Sequence, residues 1–320
     1  MSGTVFQPAV EPGGQGPWEG VDWGRHGEWQ WRGLRCHWRV LGNEKDPALV
    51  LLHGFGAGSG HWRRNAAGLA AAGWCVYGLD LLGFGASEQP ALRLDNRLWA
   101  RQLRAFLEQV VQGPAVLVGH SLGGLVALSC SVFFPHLVRA VVACPLPDPA
   151  LLSAPLRTGL RAPQRGPWRR RLRRLVVVVL CRLLPLELVV PLLAHSPLLD
   201  LGIQAAYRQP VIGDGELHRV ISRPARRPGA VRALRGMSIA MALRPHHATA
   251  PGLLPRRRHP LLLVWGRHDR LVPLEVAGQC RRFGGELPLV VVEEAGHCPH
   301  DEDPARFNTS VLEWLATVDA

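Results

Sequence analysis

Short apolar runs alternating with helical stretches predict an α/β protein: a mostly parallel sheet, helices on both faces, and a helical insertion. Three observations carry this reading. The runs at 48–53, 115–119, 138–144, 261–266 and 287–293 are nearly continuously apolar, as strands buried on both faces are. Segments of helical length and period separate them, which is the mark of parallel strands joined by crossovers. The turns after these runs carry the glycine-rich and His- or Asp-bearing signatures, beyond the carboxyl ends of the strands where such sheets place their chemistry.

The elements follow in order. Residues 1–25 are rich in Gly and Pro and lack periodicity, so a flexible tail is expected. They hold no charged start followed by an apolar stretch, and no secretory signal is read there. Trp29-Gln-Trp-Arg-Gly-Leu-Arg-Cys-His-Trp-Arg-Val40 alternates around a glycine and predicts a hairpin. A strand at 48–53, a helix over 61–72 and a strand over 74–80 come next. The spacing of Leu98, Phe106 and Val110 puts them on one face of a helix over 94–111. Strand 115–119, helix 122–134 and strand 138–144 complete a first part of the core over 26–144. Residues 145–260 are full of Pro, Leu and Arg and predict helices without a convincing strand, a cap over the strand ends. Residues 261–320 return to the sheet, with strands at 261–266 and 287–293 around a helix near 274–282.

Composition limits the function classes. Apolar residues make up 47% of the 320-residue chain, enough for a sizeable core. The formal charge of +12 is carried by arginine, with Lys45 the sole lysine. No nucleic-acid motif accompanies that charge and no aromatic residues interleave with it, so nucleic acid is not expected as a partner. Codon bias and attraction to anionic lipid both remain as sources of the arginine excess. Nine arginines lie between Arg157 and Arg182, next to the apolar run 175–191. Arg182, Pro185, Glu187 and Pro191 interrupt that run, so a greasy cap or an interfacial amphipathic segment is expected rather than a membrane span. The seven cysteines, at 36, 75, 130, 144, 181, 280 and 298, are odd in number and form no CxxC pair. Reduced core thiols in a cytoplasmic setting are expected, with neither a disulfide framework nor a zinc site.

The chemistry centres on Gly119-His-Ser-Leu-Gly123, a Gly-x-Ser-x-Gly between a strand and a helix. A sharp turn there lifts the Ser121 hydroxyl above the sheet as a nucleophile, and small neighbours make the turn feasible. The N-terminus of the next helix offers the Leu122 N–H to an oxyanion, and the loop His53-Gly-Phe-Gly56 offers that of Phe55. His53 itself reads as a structural loop histidine. A serine needs a base, and the base an orienting acid. His297, beyond the last strand, supplies the first. Asp269, in Trp265-Gly-Arg-His-Asp269, supplies the second, with Asp148, Glu293 and Glu294 as rivals. His268, Cys298 and His300 have no metal-ligand spacing, and neither metal nor organic cofactor is expected.

The chain resembles the α/β-hydrolase superfamily from about residue 28 to 318. His53-Gly-Phe-Gly, Asp80-Leu-Leu-Gly-Phe-Gly-Ala-Ser87, Gly119-His-Ser-Leu-Gly-Gly124, Trp265-Gly-Arg-His-Asp269 and Gly296-His297 carry the resemblance. It implies an eight-stranded sheet, an Asp80 that organises the loop after its strand, and hydrolysis of a carboxylic ester. Gly54-Phe-Gly-Ala-Gly-Ser-Gly-His-Trp-Arg-Arg-Asn65, Leu98-Trp-Ala-Arg-Gln102 and Arg223-Pro-Ala-Arg-Arg-Pro-Gly-Ala230 are similar to the cyanobacterial and chloroplast hydrolases that include pheophytinase and chlorophyll dephytylase. Those enzymes tend to carry Asn where this chain has His120. This closer resemblance implies a phytyl or other lipophilic ester as substrate, and peripheral contact with a thylakoid-type or other anionic membrane. The alternatives with the same triad are a C–C hydrolase, a lyase, a cofactor-free perhydrolase and a ligand-binding protein without catalysis.

Overall fold

The computed structural model describes residues 23–152, 167–183, 185–194 and 196–318. Eight strands form one sheet: β1 (Arg25–Trp31), β2 (Leu34–Leu41), β3 (Ala48–Leu52), β4 (Cys75–Leu79), β5 (Ala115–His120), β6 (Val138–Cys144), β7 (Leu261–Gly266) and β8 (Leu289–Val292). Their spatial order is β1-β2-β4-β3-β5-β6-β7-β8. β2 runs antiparallel to both β1 and β4, and every other pair is parallel. The expected eight-stranded, mostly parallel sheet is what forms.

The hairpin register pairs Trp31 with Leu34, which leaves Arg32 and Gly33 to make the turn. Both have positive φ, 55° and 76°, as a tight two-residue hairpin turn requires. The last residues of the expected 1–25 tail belong to the fold. Trp23 is buried and its indole N–H donates to the Ser59 carbonyl at 3.0 Å, and β1 starts at Arg25, so the expected tail ends sooner. Residues 1–22 of that tail lie outside the described residues.

The helix expected over 61–72 divides into a 3₁₀ turn, Ser59–Trp62, and a helix α1, Ala66–Ala71. Ser59, Gly60, His61 and Trp62 are all buried, so packing of this turn overrides the helical period. The next helix, α2, runs Asn96–Phe106 with Asp95 as its N-cap, accepting from the N–H groups of Arg97 and Leu98 at 3.0 and 3.1 Å. It ends in a π-helical turn, Leu107–Val111. Helix α3, Leu122–Phe133, follows β5 directly. Two further helices follow later: Glu275–Gly284 bridges β7 and β8, and Pro304–Leu315, capped by Asp303, closes the fold.

The core lies on both faces of the sheet. One cluster holds Val50, Leu52, Leu117, Trp99, Phe106 and Trp265, and the other holds Leu49, Leu51, Val116, Val118, Trp62 and Phe307. Neighbouring residues of β3 and β5 thus point to opposite faces, and the strands read as unbroken apolar runs because both faces are covered. Between β6 and β7 the described residues form helices and no strand, including Pro167–Leu183, Leu186–Ala194, Gly215–Arg226 and Ala230–Ala242. Arg63 ties this region to the sheet side, reaching Asp214 at 2.6 Å and Asp301 at 3.3 Å. Among the described residues no single helix is long and apolar enough to cross a membrane, though Leu175–Cys181 and Leu186–Ala194 together reach that length across a 45° bend.

Candidate active site

β5 ends at His120, and the backbone turns at Ser121 with φ 51° and ψ −117° before entering α3. A non-glycine residue in that conformation is strained. The turn is held by the Ser121 N–H, which donates to the Cys144 carbonyl at 2.9 Å. It is also possible only between glycines: a Cβ on Gly119 would run into the backbone of Gly123, and one on Gly123 into the Leu52 carbonyl. Gly54, in the loop after β3, comes so close that an added Cβ would lie 2.5 Å from His120 Nδ1. That approach sets the Gly54–Phe55 backbone against the serine turn, and the first N–H groups of α3 have no intrahelical acceptor.

His297 follows β8, anchored by its N–H to the Ala206 carbonyl at 2.7 Å. Its Nδ1 meets Asp269 Oδ2 at 2.8 Å and its Nε2 meets Ser121 Oγ at 3.0 Å. Asp269 stands beyond β7, and its Oδ1 accepts from the N–H groups of Leu271 and Val272 at 2.9 and 2.8 Å. An ionised carboxylate only accepts, so Nδ1 carries the imidazole proton and Nε2 presents a lone pair to the serine O–H. Sequence separations of 176 and 28 residues close into one relay. All three side chains are buried.

The rival acids are engaged elsewhere. Asp148 pairs with Arg244 at 2.5 Å and accepts from the Ala250 N–H at 2.6 Å. Glu293 pairs with Arg267 and Glu294 with Arg208, both on the surface. His53 is structural: its Nδ1 donates to the Gly54 carbonyl at 2.7 Å, its Nε2 accepts from Leu81 N–H at 3.0 Å, and burial pushes its pKa down. Asp80 organises its loop, accepting from Ser59 N–H, from Ala86 N–H at 2.8 Å and from His37 Nδ1 at 2.8 Å. Burial alone would raise its pKa, but the hydrogen bond and charge of His37 hold the carboxyl well below the usual range. His268 is exposed, while burial raises the Cys298 thiol well above its ordinary value.

One group of side chains escaped the sequence reading. His61, from the 3₁₀ turn, His120, beside the nucleophile, and His300, after His297, meet beneath the relay with one nitrogen of each within 4.8 Å of the others. No local spacing announces this, since the three lie 59 and 180 residues apart. Only adjacency to the relay pointed to it, His120 preceding Ser121 and His300 lying three residues after His297.

The profile of the alpha/beta hydrolase fold matches residues 47–304. A 2-hydroxymuconate semialdehyde hydrolase of a Pseudomonas species is 30% identical, over 85% of this chain and 88% of its own. The chloroplast pheophytinase of Arabidopsis thaliana is 24% identical, over 92% of this chain and 66% of its own length. Among solved structures, a thermophilic esterase from Thermogutta terrifontis superposes with a TM-score of 0.65 at 21% identity, over 90% of this chain and 95% of that one. With the serine turn, the sheet order and this match in agreement, the chain belongs to the α/β-hydrolase family.

Proposed function

We propose that the protein is a serine hydrolase that cleaves a lipophilic carboxylic ester through an acyl-enzyme. The observation that carries this reading is the Ser121–His297–Asp269 relay at 3.0 and 2.8 Å, built on a strained serine turn. Ser121 Oγ attacks the ester carbonyl while His297 Nε2 takes its proton. Asp269 keeps Nδ1 protonated and stabilises the imidazolium. The backbone N–H groups of Phe55 and Leu122 receive the oxyanion. His297 then protonates the leaving alcohol, and a water activated by the same imidazole releases the acid. Neither a metal nor an organic cofactor enters these steps.

The helices between β6 and β7 act as a cap and give the ester its apolar surroundings. Fourteen of the seventeen exposed large apolar side chains among the described residues lie between Trp168 and Ile212, with Leu183 72% and Leu188 74% exposed. Patches of this kind mark interaction surfaces. The arginine-rich sequence 157–182 beside it favours an anionic bilayer as the partner, from which a phytyl or acyl ester would be drawn. Hydrolysis of a carbon–carbon bond by the same residues is the second reading, supported by the relative named for hydrolysing 2-hydroxymuconate semialdehyde.

A fluorophosphonate probe tests the nucleophile: it should label wild-type protein at Ser121 and spare Ser121→Ala, and an unlabelled folded wild type would refute the reading. A panel of p-nitrophenyl esters of graded chain length, with chlorophyll and pheophytin added, then separates lipophilic esters from other substrates. Co-sedimentation with phosphatidylglycerol vesicles should be strong at low salt and weak at high salt. Equal recovery with neutral and anionic vesicles would remove the membrane from the proposal.

A further inference from the structure

We infer that His61, His120 and His300 form a binding site for a divalent transition-metal ion of the zinc class, buried beneath the Ser121–His297 pair. The inference rests on proton bookkeeping. His120 Nε2 lies 3.0 Å from the His297 carbonyl, which only accepts, so Nε2 carries the proton and Nδ1 is a bare lone pair. The Tyr207 hydroxyl donates to Asp301 at 3.0 Å, so toward His61 Nε2, 2.8 Å away, it can only accept. His61 Nε2 is therefore protonated and its Nδ1 is also a bare lone pair. Both Nδ1 atoms, and both nitrogens of His300, are buried without a hydrogen-bond partner. A fully buried cluster whose fixed groups are lone pairs calls for an electron-pair acceptor.

Neutral His300 carries a single N–H, which could serve at most one of the two Nδ1 lone pairs, and neither of its nitrogens makes a hydrogen bond to either. Geometry separates a metal from a water. Zinc about 2.05 Å from a ring nitrogen lies about 3.2 Å from the ring centre, which places ring centres about 4.5–5.4 Å apart for angles of 90–115°. A water hydrogen-bonded at about 2.9 Å would hold them at about 5.7 Å or more. The observed separations are 4.4, 4.6 and 5.3 Å, the shortest just under the range for an ion and all three below that for a water. Binding an ion requires the nitrogens, now within 4.8 Å of one another, to close to about 3.4 Å by rotation of the rings.

The partners of the other ring nitrogens suit this role. His61 is oriented by Tyr207 and Asp301, and His120 by a backbone carbonyl, as ligand histidines usually are. Such an ion ties together the 3₁₀ turn after β3, the serine turn and the segment after His297.

The test uses full-length protein without a histidine tag, dialysed against EDTA. Cobalt(II) titration should give ligand-field bands at least about tenfold more intense than those of the aqueous ion, saturating at one equivalent. Zinc should abolish those bands and raise Tm by several degrees. Ser121→Ala should bind equally, so the site stands or falls separately from the hydrolase reading. His300→Phe and His61→Gln should each weaken binding by about 100-fold or more, whereas His268→Ala, on the surface, should not. The inference is overturned if wild-type protein, both folded and refolded with zinc present, takes up no ion. It is equally overturned if His268→Ala abolishes the cobalt bands while His300→Phe keeps them.

Discussion

Replacing Ser121 by glycine and, separately, by alanine isolates the strain stored at the nucleophile. Both variants lose the Oγ contact to His297 at 3.0 Å, so that term cancels in the comparison. They differ in backbone cost. At φ 51° and ψ −117° alanine keeps the strain, of about 1–3 kcal/mol, and glycine relieves it. Glycine in turn loses about 0.5–1 kcal/mol through the greater entropy of its unfolded chain. The balance makes Ser121→Gly the more stable variant by about 1–2 kcal/mol, the reverse of the ordinary order for these residues inside an element. With an unfolding entropy of about 2.1 cal/mol/K per residue over 320 residues, that corresponds to about 1.5–3 °C in Tm. Differential scanning calorimetry of the two variants under identical conditions measures it. An alanine variant equal to or more stable than the glycine one would show that the turn carries no strain, and the account of its glycine neighbours would fail with it.

The other predictions concern the acid of the relay, the loop carboxylate and the tie to the helical region. Asp269→Asn removes the acceptor that fixes the His297 tautomer and should lower kcat on a p-nitrophenyl ester about 10⁴-fold with KM little changed; an effect below tenfold would point to another acid. Asp80 has a folded-state pKa below its unfolded value of about 3.9, so its stabilisation is complete above that pH and is lost progressively as pH falls from there through the depressed folded-state value. Urea midpoints should show a loss of about 1.3 kcal/mol from this group between pH 6 and pH 3, and Asp80→Asn should flatten that part of the profile. Arg63→Met leaves buried Asp301 and its neighbour Asp214 with only the half-exposed Arg64 guanidinium, at 3.7 and 3.6 Å, and should cost up to about 3 kcal/mol, read as a lower Tm and faster proteolysis between β6 and β7.

What the sequence made legible is what short-range forces decide. The buried strands announce themselves because residues on both faces must be apolar, and β6 and β7 end where their runs end. The serine turn is local in part: a Cβ on Gly119 would meet the Gly123 backbone within four residues of chain, whereas one on Gly123 would meet Leu52 on the neighbouring strand. Asp269 and His297 were legible one step further out. Each follows the carboxyl end of a strand, and parallel register brings such ends to one edge of the sheet whatever lies between them. The 3₁₀ turn at Ser59–Trp62 was not legible, because its form is set by burial against the sheet and not by its own period.

The histidine cluster and the Arg63 network show where that reasoning ends and why. Arg63 meets partners 151 and 238 residues away, and the Tyr207 hydroxyl that orients His61 lies 146 residues from it. Such contacts obey no period, since they are fixed by the docking of one completed element on another. Their chemistry nevertheless connects to the legible site. Through its Nε2 proton His120 holds the carbonyl of the same residue whose imidazole faces Ser121. Substitution of Ser121 tests the turn, whereas substitution of His300, buried against Trp62 at 4.4 Å, tests the layer beneath it. The relay and its support are thus separable by experiment although they share the backbone of His297.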